Sequence, residues 1–100
     1  MIERHWRGLA KTDRAGDYVR HLRQHTFPTL ETLDGFLGAS ILQRSLHRGV
    51  EFVIVTRWAT TEAIERFAGG QDPTLAVVPD EAAALMVEFD PHARHYDVVE

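Results

Sequence analysis

Residues 50–59 constrain the fold most, because apolar side chains occupy both alternating faces of this segment. One face is largely apolar, with Phe52, Ile54 and Trp58. Val53 and Val55 fall on the other face. A strand that faces water on one side alternates apolar and polar residues, whereas a strand buried on both faces loses that alternation. The sequence therefore predicts a central β-strand that needs cover on both sides.

The flanking segments predict a single domain over residues 1–100. Alternating apolar residues with aromatic or β-branched content predict strands at residues 2–9, 36–46 and 93–99 as well. Helical spacing and capping residues predict a helix from Asp13, a helix from residues 60–62 to Gly69, and a helix over 80–87. Pro28 interrupts the first helix, which resumes over 29–33. The order β-α-β-β-α-β is that of an α+β, ferredoxin-like domain with an antiparallel sheet.

The pattern of the third strand also predicts the oligomeric state. Two short helices cover only one face of a four-stranded sheet, so Val53 and Val55 would lack cover in a monomer. A two-fold homodimer paired through the sheet face is the commonest way to provide that cover. The alternative, in which both valines lie on an exposed apolar sheet, is costly. We expect the dimer.

Charge and composition narrow the class of protein. The formal net charge is −4, with 11 basic and 15 acidic side chains, which argues against a nucleic-acid-binding surface. No apolar run approaches the roughly 20 residues of a membrane helix, and no signal segment opens the chain. The sequence has no cysteine, which excludes thiolate metal sites and a cysteine nucleophile. We expect a cytoplasmic protein that binds neither nucleic acid nor membrane.

Several segments, in order, resemble the antibiotic biosynthesis monooxygenase family. They are residues 33–38 (LDGFLG), 56–67 (TRWATTEAIERF), 67–70 (FAGG), 76–80 (AVVPD) and 94–98 (RHYDV), and the last three resemble an uncharacterised branch of that superfamily. The resemblance covers nearly the whole chain. It implies a dimeric α/β barrel with a cleft in each subunit between sheet and helices. Known members of the family include cofactor-independent oxygenases of aromatic polyketides and haem-degrading enzymes, and many members have no assigned reaction.

The two tryptophans are the first candidate site residues. Trp58 matches the family tryptophan at the strand end, where an indole offers a flat apolar wall and one N–H donor; the alternative role is core packing. Trp6 lies near the position at which haem-degrading members carry an asparagine. Those members also have an axial histidine after the second helix, whereas residues 69–85 contain none here. The resemblance therefore favours oxygenation over haem degradation, and we expect no cofactor.

The first helix supplies further candidates. His21 and His25 lie four residues apart and share a helix face with Tyr18. Either histidine could act as a general base near neutral pH, and we predict this role for His25. The spacing could also bind a metal, but no carboxylate completes a ligand set, and a solvated helix face is the simpler interpretation. Tyr18 either packs in the core or lines a pocket.

These residues predict a site for a small apolar or aromatic molecule. We expect His25 and Trp58 to be catalytic and Trp6, Tyr18, Phe67 and His21 to bind substrate. The hypothesis is a cofactor-independent monooxygenase acting on a small aromatic or quinol-like substrate, which must reduce oxygen itself. The alternatives are a non-catalytic or isomerase-like small-molecule-binding protein and, third, haem binding. The sequence does not decide whether the chain is an enzyme.

Overall fold

The computed structural model describes residues 1–100 and has the predicted α+β architecture. The strands are β1 (Ile2–Ala10), β2 (Phe36–Leu46), β3 (Gly49–Trp58), β4 (Met86–Phe89) and β5 (Arg94–Asp97). The helices are α1 (Ala15–His21), α2 (Phe27–Glu31), α3 (Thr61–Ala68) and α4 (Asp80–Ala83). No helix is long and apolar enough to cross a membrane.

All strand pairs in the sheet are antiparallel. The order is β2-β3-β1, and the far edge of β1 is shared by β4, opposite Gly8 to Ala10, and β5, opposite Ile2 to His5. The sheet has five strands because the predicted last helix ends early. The prediction of a helix over 80–87 is wrong beyond Ala83, since Met86 pairs with Ala10 instead. A strand ladder with β1 overrides the helix propensity of this alanine-rich segment.

Pro28 does not interrupt the first helical region as predicted. A wider π turn (Leu22–Thr26) joins α1 to α2, and Pro28 occupies the first turn of α2, where the missing amide costs little. The helical region therefore runs without a break from Ala15 to Glu31. It packs on the face of the sheet that carries Phe52, Ile54 and Trp58.

The core on this face consists of two clusters. The larger surrounds Trp6, Tyr18 and Phe52, and the smaller consists of Leu30, Trp58, Ala63 and Ile64. Helix α3 closes the smaller cluster. Its N-cap is the Thr60 hydroxyl, which accepts a hydrogen bond from the Ala63 amide at 3.2 Å, and Gly69 ends it in the left-handed conformation.

The opposite face of the sheet is open in the single chain. The prediction that Val55 would lack cover in a monomer is wrong. Val55 is buried without a partner subunit, flanked in the strand register by His5 and Ser40. Val53 is only partly covered, and Leu42, which lies opposite it on β2, is 52% exposed. Ion pairs among Glu3, Arg7, Arg44, Glu51 and Arg57 lie on the same face.

Candidate functional site

A cleft lies between the sheet and the helices, at the boundary of the two core clusters. Its cavity volume is about 60 Å³, and ten of its fifteen lining residues are hydrophobic. Side chains from β1, β3, the first helical region, α3 and residues 77–79 line it. The aromatic and polar side chains of the lining include Arg4, Trp6, Tyr18, His21, Thr56 and Phe67. All four predicted substrate-binding residues are therefore in contact with one cavity.

Trp6 forms part of the cleft wall and is held in a fixed orientation. Its indole Nε1 donates a hydrogen bond to the Asp90 carbonyl oxygen at 2.9 Å. Its ring lies 6.0 Å from the ring of Phe89 and 6.4 Å from that of Tyr18, measured between centroids. With its only polar atom paired to the backbone, Trp6 presents an apolar aromatic surface to the cavity.

Tyr18 reaches the cleft from α1 and is buried. Its ring meets Phe52 edge to face, with centroids 5.0 Å apart. Burial raises the pKa of the Tyr18 hydroxyl, because the phenolate would lose hydration in this apolar surrounding. Tyr18 therefore stays a neutral phenol, which can donate a hydrogen bond but cannot serve as a base at neutral pH.

The two helix histidines occupy different environments. His21 lines the cleft, and its Nε2 is buried with no hydrogen-bond partner. His25 is exposed and lies in an outer groove that His21 also lines, with the two rings 5.5 Å apart, but only His21 reaches the cleft as well. The structure thus places His21, and not His25, where it can reach a molecule in the cleft.

Trp58 lies behind the cleft wall. It is fully buried in the smaller core cluster, 5.5 Å from the Phe67 ring, and it is not among the residues that line the cavity. Its indole Nε1 donates a hydrogen bond to Thr56 Oγ1 at 2.9 Å. Since Thr56 does line the cavity, Trp58 acts on the site by orienting this hydroxyl.

Arg4 is the cleft residue that the sequence did not single out. It is 7% exposed, its Nη2 donates to the Leu75 carbonyl oxygen at 2.9 Å, and its guanidinium carbon lies 5.3 Å from the Phe67 centroid. Burial lowers the pKa of Arg4, yet a guanidinium stays protonated in proteins. Arg4 lies two residues from Trp6, so strand alternation puts both side chains on one face of β1. This spacing could have predicted that Arg4 lies in the cleft.

Arg4 belongs to a polar row across the sheet. In the strand register it lies directly between Thr56 on β3 and His95 on β5. Burial, and secondarily the charge of Arg4, lowers the pKa of His95, so this imidazole is neutral at pH 7. The Nε2 of His95 is buried without a partner, as is the Nε of Arg4.

Residues 75–79, which we call the cover segment, close the cleft above Arg4. Val77, Val78 and Pro79 line the cavity. The segment is tied down at its start, where the Ala76 amide donates to the Pro91 carbonyl at 2.9 Å and Leu75 accepts from Arg4. Val77 is 54% exposed, so the outer part of the cover has little packing to lose if it moves.

Metal binding finds no support in the side-chain arrangement. No group of three or more histidine, aspartate or glutamate side chains is placed to hold a metal ion. Arg4, His21 and Thr56 offer the cavity two hydrogen-bond donors and one imidazole. The lining of the cleft thus combines apolar aromatic surface with an imidazole and two donors suited to negative charge.

A family model described as antibiotic biosynthesis monooxygenase matches residues 2–73. This range includes β1, the first helical region, β2, β3 and α3, and hence every site residue described above except His95 and the cover segment. None of the curated proteins is similar enough in sequence to match the chain.

Three solved structures share the fold. A candidate antibiotic biosynthesis monooxygenase from Bordetella bronchiseptica is 18% identical with a TM-score of 0.69, over 99% of this chain and 97% of its own. One from Bacillus cereus is 19% identical with a TM-score of 0.65, over 100% and 93%. A mutant of MhuD with two manganese protoporphyrin IX molecules bound per active site is 20% identical with a TM-score of 0.62, over 100% and 96%.

Proposed function

The chain belongs to the antibiotic biosynthesis monooxygenase family, and on that premise we propose that it oxygenates a small aromatic, quinol-like substrate in the cleft without a cofactor. The observation that carries the proposal is the cavity itself. Its walls are the aromatic side chains of Trp6, Tyr18 and Phe67, and an unpaired imidazole nitrogen of His21 is buried beside it.

The proposed reaction converts a methylene group activated by an aromatic ring into a carbonyl. A base removes one proton, and the resulting carbanion gives electrons to O₂, so that a C–O bond forms and yields a hydroperoxide. Loss of water breaks the O–O bond and the second C–H bond. One oxygen atom of O₂ enters the product and the other leaves as water, so the substrate itself supplies the electrons.

His21 is the base that we propose for the first step. Histidine accepts protons near neutral pH, and the Nε2 of His21 has no other partner to compete for its lone pair if the tautomer carries its proton on Nδ1. His25, the base predicted from sequence, would need a change in the helix to reach the cavity. The two histidines therefore form a matched pair for a test.

Oxygen uptake with anthrone as substrate tests this proposal. We expect wild-type protein to consume O₂ above the rate of spontaneous oxidation, His21→Gln to reduce the enzymatic rate about 100-fold or more, and His25→Gln to leave it near wild type. A loss of rate in His25→Gln, with His21→Gln near wild type, would identify His25 as the base. No uptake above the spontaneous rate with anthrone would contradict the monooxygenase proposal.

The alternative function is small-molecule binding without oxygenation, including an isomerase-like reaction. The same cleft supports it, since aromatic walls and a base serve proton transfer as well as oxygen chemistry. A ligand that co-purifies with the protein, or that binds without any O₂ uptake, would favour this alternative.

Haem binding is the weakest of the three functions. His21 is the only histidine in the cavity lining, and the segment after α3 has none up to Leu85. Titration with hemin tests this directly, and the absence of a Soret shift would remove the possibility.

We also propose that the active form is a homodimer paired through the open sheet face. The apolar side chains on this face that stay exposed or partly exposed include Leu42, Leu46, Val53 and Tyr96, whereas Leu9 and Val55 are buried. Leu42 and Tyr96 are 52% and 48% exposed in the single chain. Ion pairs lie among them on the same face: Glu51 on β3 pairs with Arg7 on β1 and Arg44 on β2, and Glu3 on β1 pairs with Arg57 on β3.

A further inference from the structure

Arg4 is a buried cation that no acidic side chain neutralises. The ion pairs of the structure link Arg7, Arg14, Arg20, Arg44, Arg48 and Arg57 to carboxylates, and none involves Arg4. A charge buried without a counter-charge is costly and occurs mainly where it serves a ligand or a metal. Its neighbours in the sheet, Thr56 and neutral His95, offer no compensating charge.

The donors of Arg4 are only partly used. Its Nη2 is bonded to the Leu75 carbonyl oxygen, whereas its Nε is buried without a partner. The Phe67 ring lies against the guanidinium at 5.3 Å and fixes its plane. A planar guanidinium held in this way is suited to bind an oxyanion through its remaining N–H groups.

Thr56 adds a second donor on the same cavity. Its Oγ1 already accepts the indole N–H of Trp58, so the hydroxyl proton of Thr56 remains free to be donated. Thr56 lies directly opposite Arg4 in the register of β1 and β3, and both side chains line the cavity. The two donors thus converge on one small volume next to the aromatic walls.

We propose that the cleft binds its ligand as an anion, with a negatively charged oxygen of a planar aromatic acid or phenolate on Arg4 and Thr56 and its ring against Trp6 and Tyr18. This names the substrate class for the proposed function, because the same contacts would stabilise the enolate or phenolate formed when a quinol-like substrate loses its proton. Binding of the anion does not itself require oxygen chemistry.

The size of the cavity adds a condition. A cavity of about 150 Å³ is known to hold one benzene ring, and the cleft here measures about 60 Å³. A single-ring acid therefore enters only if the exposed outer part of the cover segment moves away. Benzoate and benzamide are the smallest matched probes, since they have nearly the same shape and differ in charge.

Titration of wild-type protein with benzoate and with benzamide, followed by ligand-observed NMR under nitrogen, tests the anion site. We expect benzoate to bind about tenfold or more tightly than benzamide, because hydrogen bonds to a charged group are the stronger ones. Equal affinity for the two probes, or no benzoate binding up to about 10 mM, would overturn the proposal.

Two variants locate the effect. Arg4→Met removes the charge and keeps a long apolar side chain, and we expect it to abolish the preference for benzoate; Thr56→Val should reduce that preference. Arg7→Met is the control, since Arg7 lies on the same strand but on the opposite face, paired with Glu51. Retention of the preference in Arg4→Met would overturn the assignment, and the wild-type comparison stands even if Arg4→Met does not fold.

The outcome is separable from that of the oxygen-uptake assay. Selective benzoate binding without O₂ uptake from any quinol would leave the anion site standing and remove the oxygenase function. Uptake of O₂ from quinols, together with equal binding of benzoate and benzamide, would leave the oxygenase function standing and remove the anion site.

Discussion

Trp58 contributes to the cleft through a hydrogen bond and not through contact with the ligand. We expect Trp58→Phe, which keeps an apolar ring but removes the donor to Thr56, to lower the free energy of unfolding by about 1–2 kcal/mol. Trp58→Ala should cost about 3–5 kcal/mol, because it leaves a cavity in the smaller core cluster. Urea unfolding measures both values. An unchanged stability of Trp58→Phe would show that the hydrogen bond contributes nothing.

Glu51, which lies on the open sheet face, makes the stability of the protein depend on pH. Hydrogen bonds from Arg44, and next from Arg7, lower the pKa of this carboxyl from 4.5 to about 2. A carboxyl with a lowered folded-state pKa stabilises the protein above its unfolded-state pKa and loses that contribution as pH falls. Wild-type stability should therefore decline between pH 4.5 and about 2 more steeply than that of Glu51→Gln. The check is urea unfolding across this range, with the exposed Glu88→Gln as a control that keeps the wild-type slope.

The sequence predicted the cleft residues better than it predicted their roles. Strand alternation puts Trp6 on one face of β1, helical spacing puts Tyr18 and His21 on one face of α1, and all three side chains line the cavity. Neither pattern shows which of two histidines one turn apart faces inward, because that depends on the rotation of the helix against the sheet. Arg4 was overlooked since an arginine in a strand is normally exposed, and only its packing under Phe67 and Leu75 reveals the burial.

At the scale of elements, the hairpin between β2 and β3 depends on a glycine that its neighbours leave no room to replace. Gly49 has φ +156°, and a Cβ on it would overlap the Ala10 carbonyl oxygen. Gly38 has a similar φ of +153° with nothing within 4 Å of such a Cβ. We expect Gly49→Ala to destabilise the protein by about 1–3 kcal/mol more than Gly38→Ala in urea unfolding. Equal effects would mean that backbone strain alone accounts for the cost.

The elements differ in how far local sequence determined them. Strand β2 (Phe36–Leu46) was predicted with its observed bounds, since turn residues flank it on both sides. Helix α4 was predicted too long, because helix propensity in residues 80–87 says nothing of the free edge on β1 with which Met86 pairs. The π turn before Pro28 was also missed, because it depends on how the whole helical region settles on the sheet.

For the molecule as a whole, the proposed dimer is tested by its mass. We expect light scattering at micromolar concentration to give twice the mass of one chain, which is 11.4 kDa. Leu42→Lys should convert the protein to a folded monomer, because a lysine in place of this exposed leucine would be buried in the dimer without a counter-charge. Glu65→Lys, which changes an exposed charge on α3, away from the open sheet face, is the control. A monomeric wild-type mass would contradict the dimer.

The central claim is that the cleft transfers one oxygen atom from O₂ to an aromatic substrate without a cofactor. Incubation of the purified, metal-free protein with anthrone under ¹⁸O₂, followed by mass spectrometry, tests it most directly. We predict a ketone product with one ¹⁸O atom and recovery of the second oxygen atom in water. In His21→Gln, the amount of labelled product should fall to the level of the spontaneous background. Label at the level of the protein-free control, or hydrogen peroxide in place of labelled product, would contradict it.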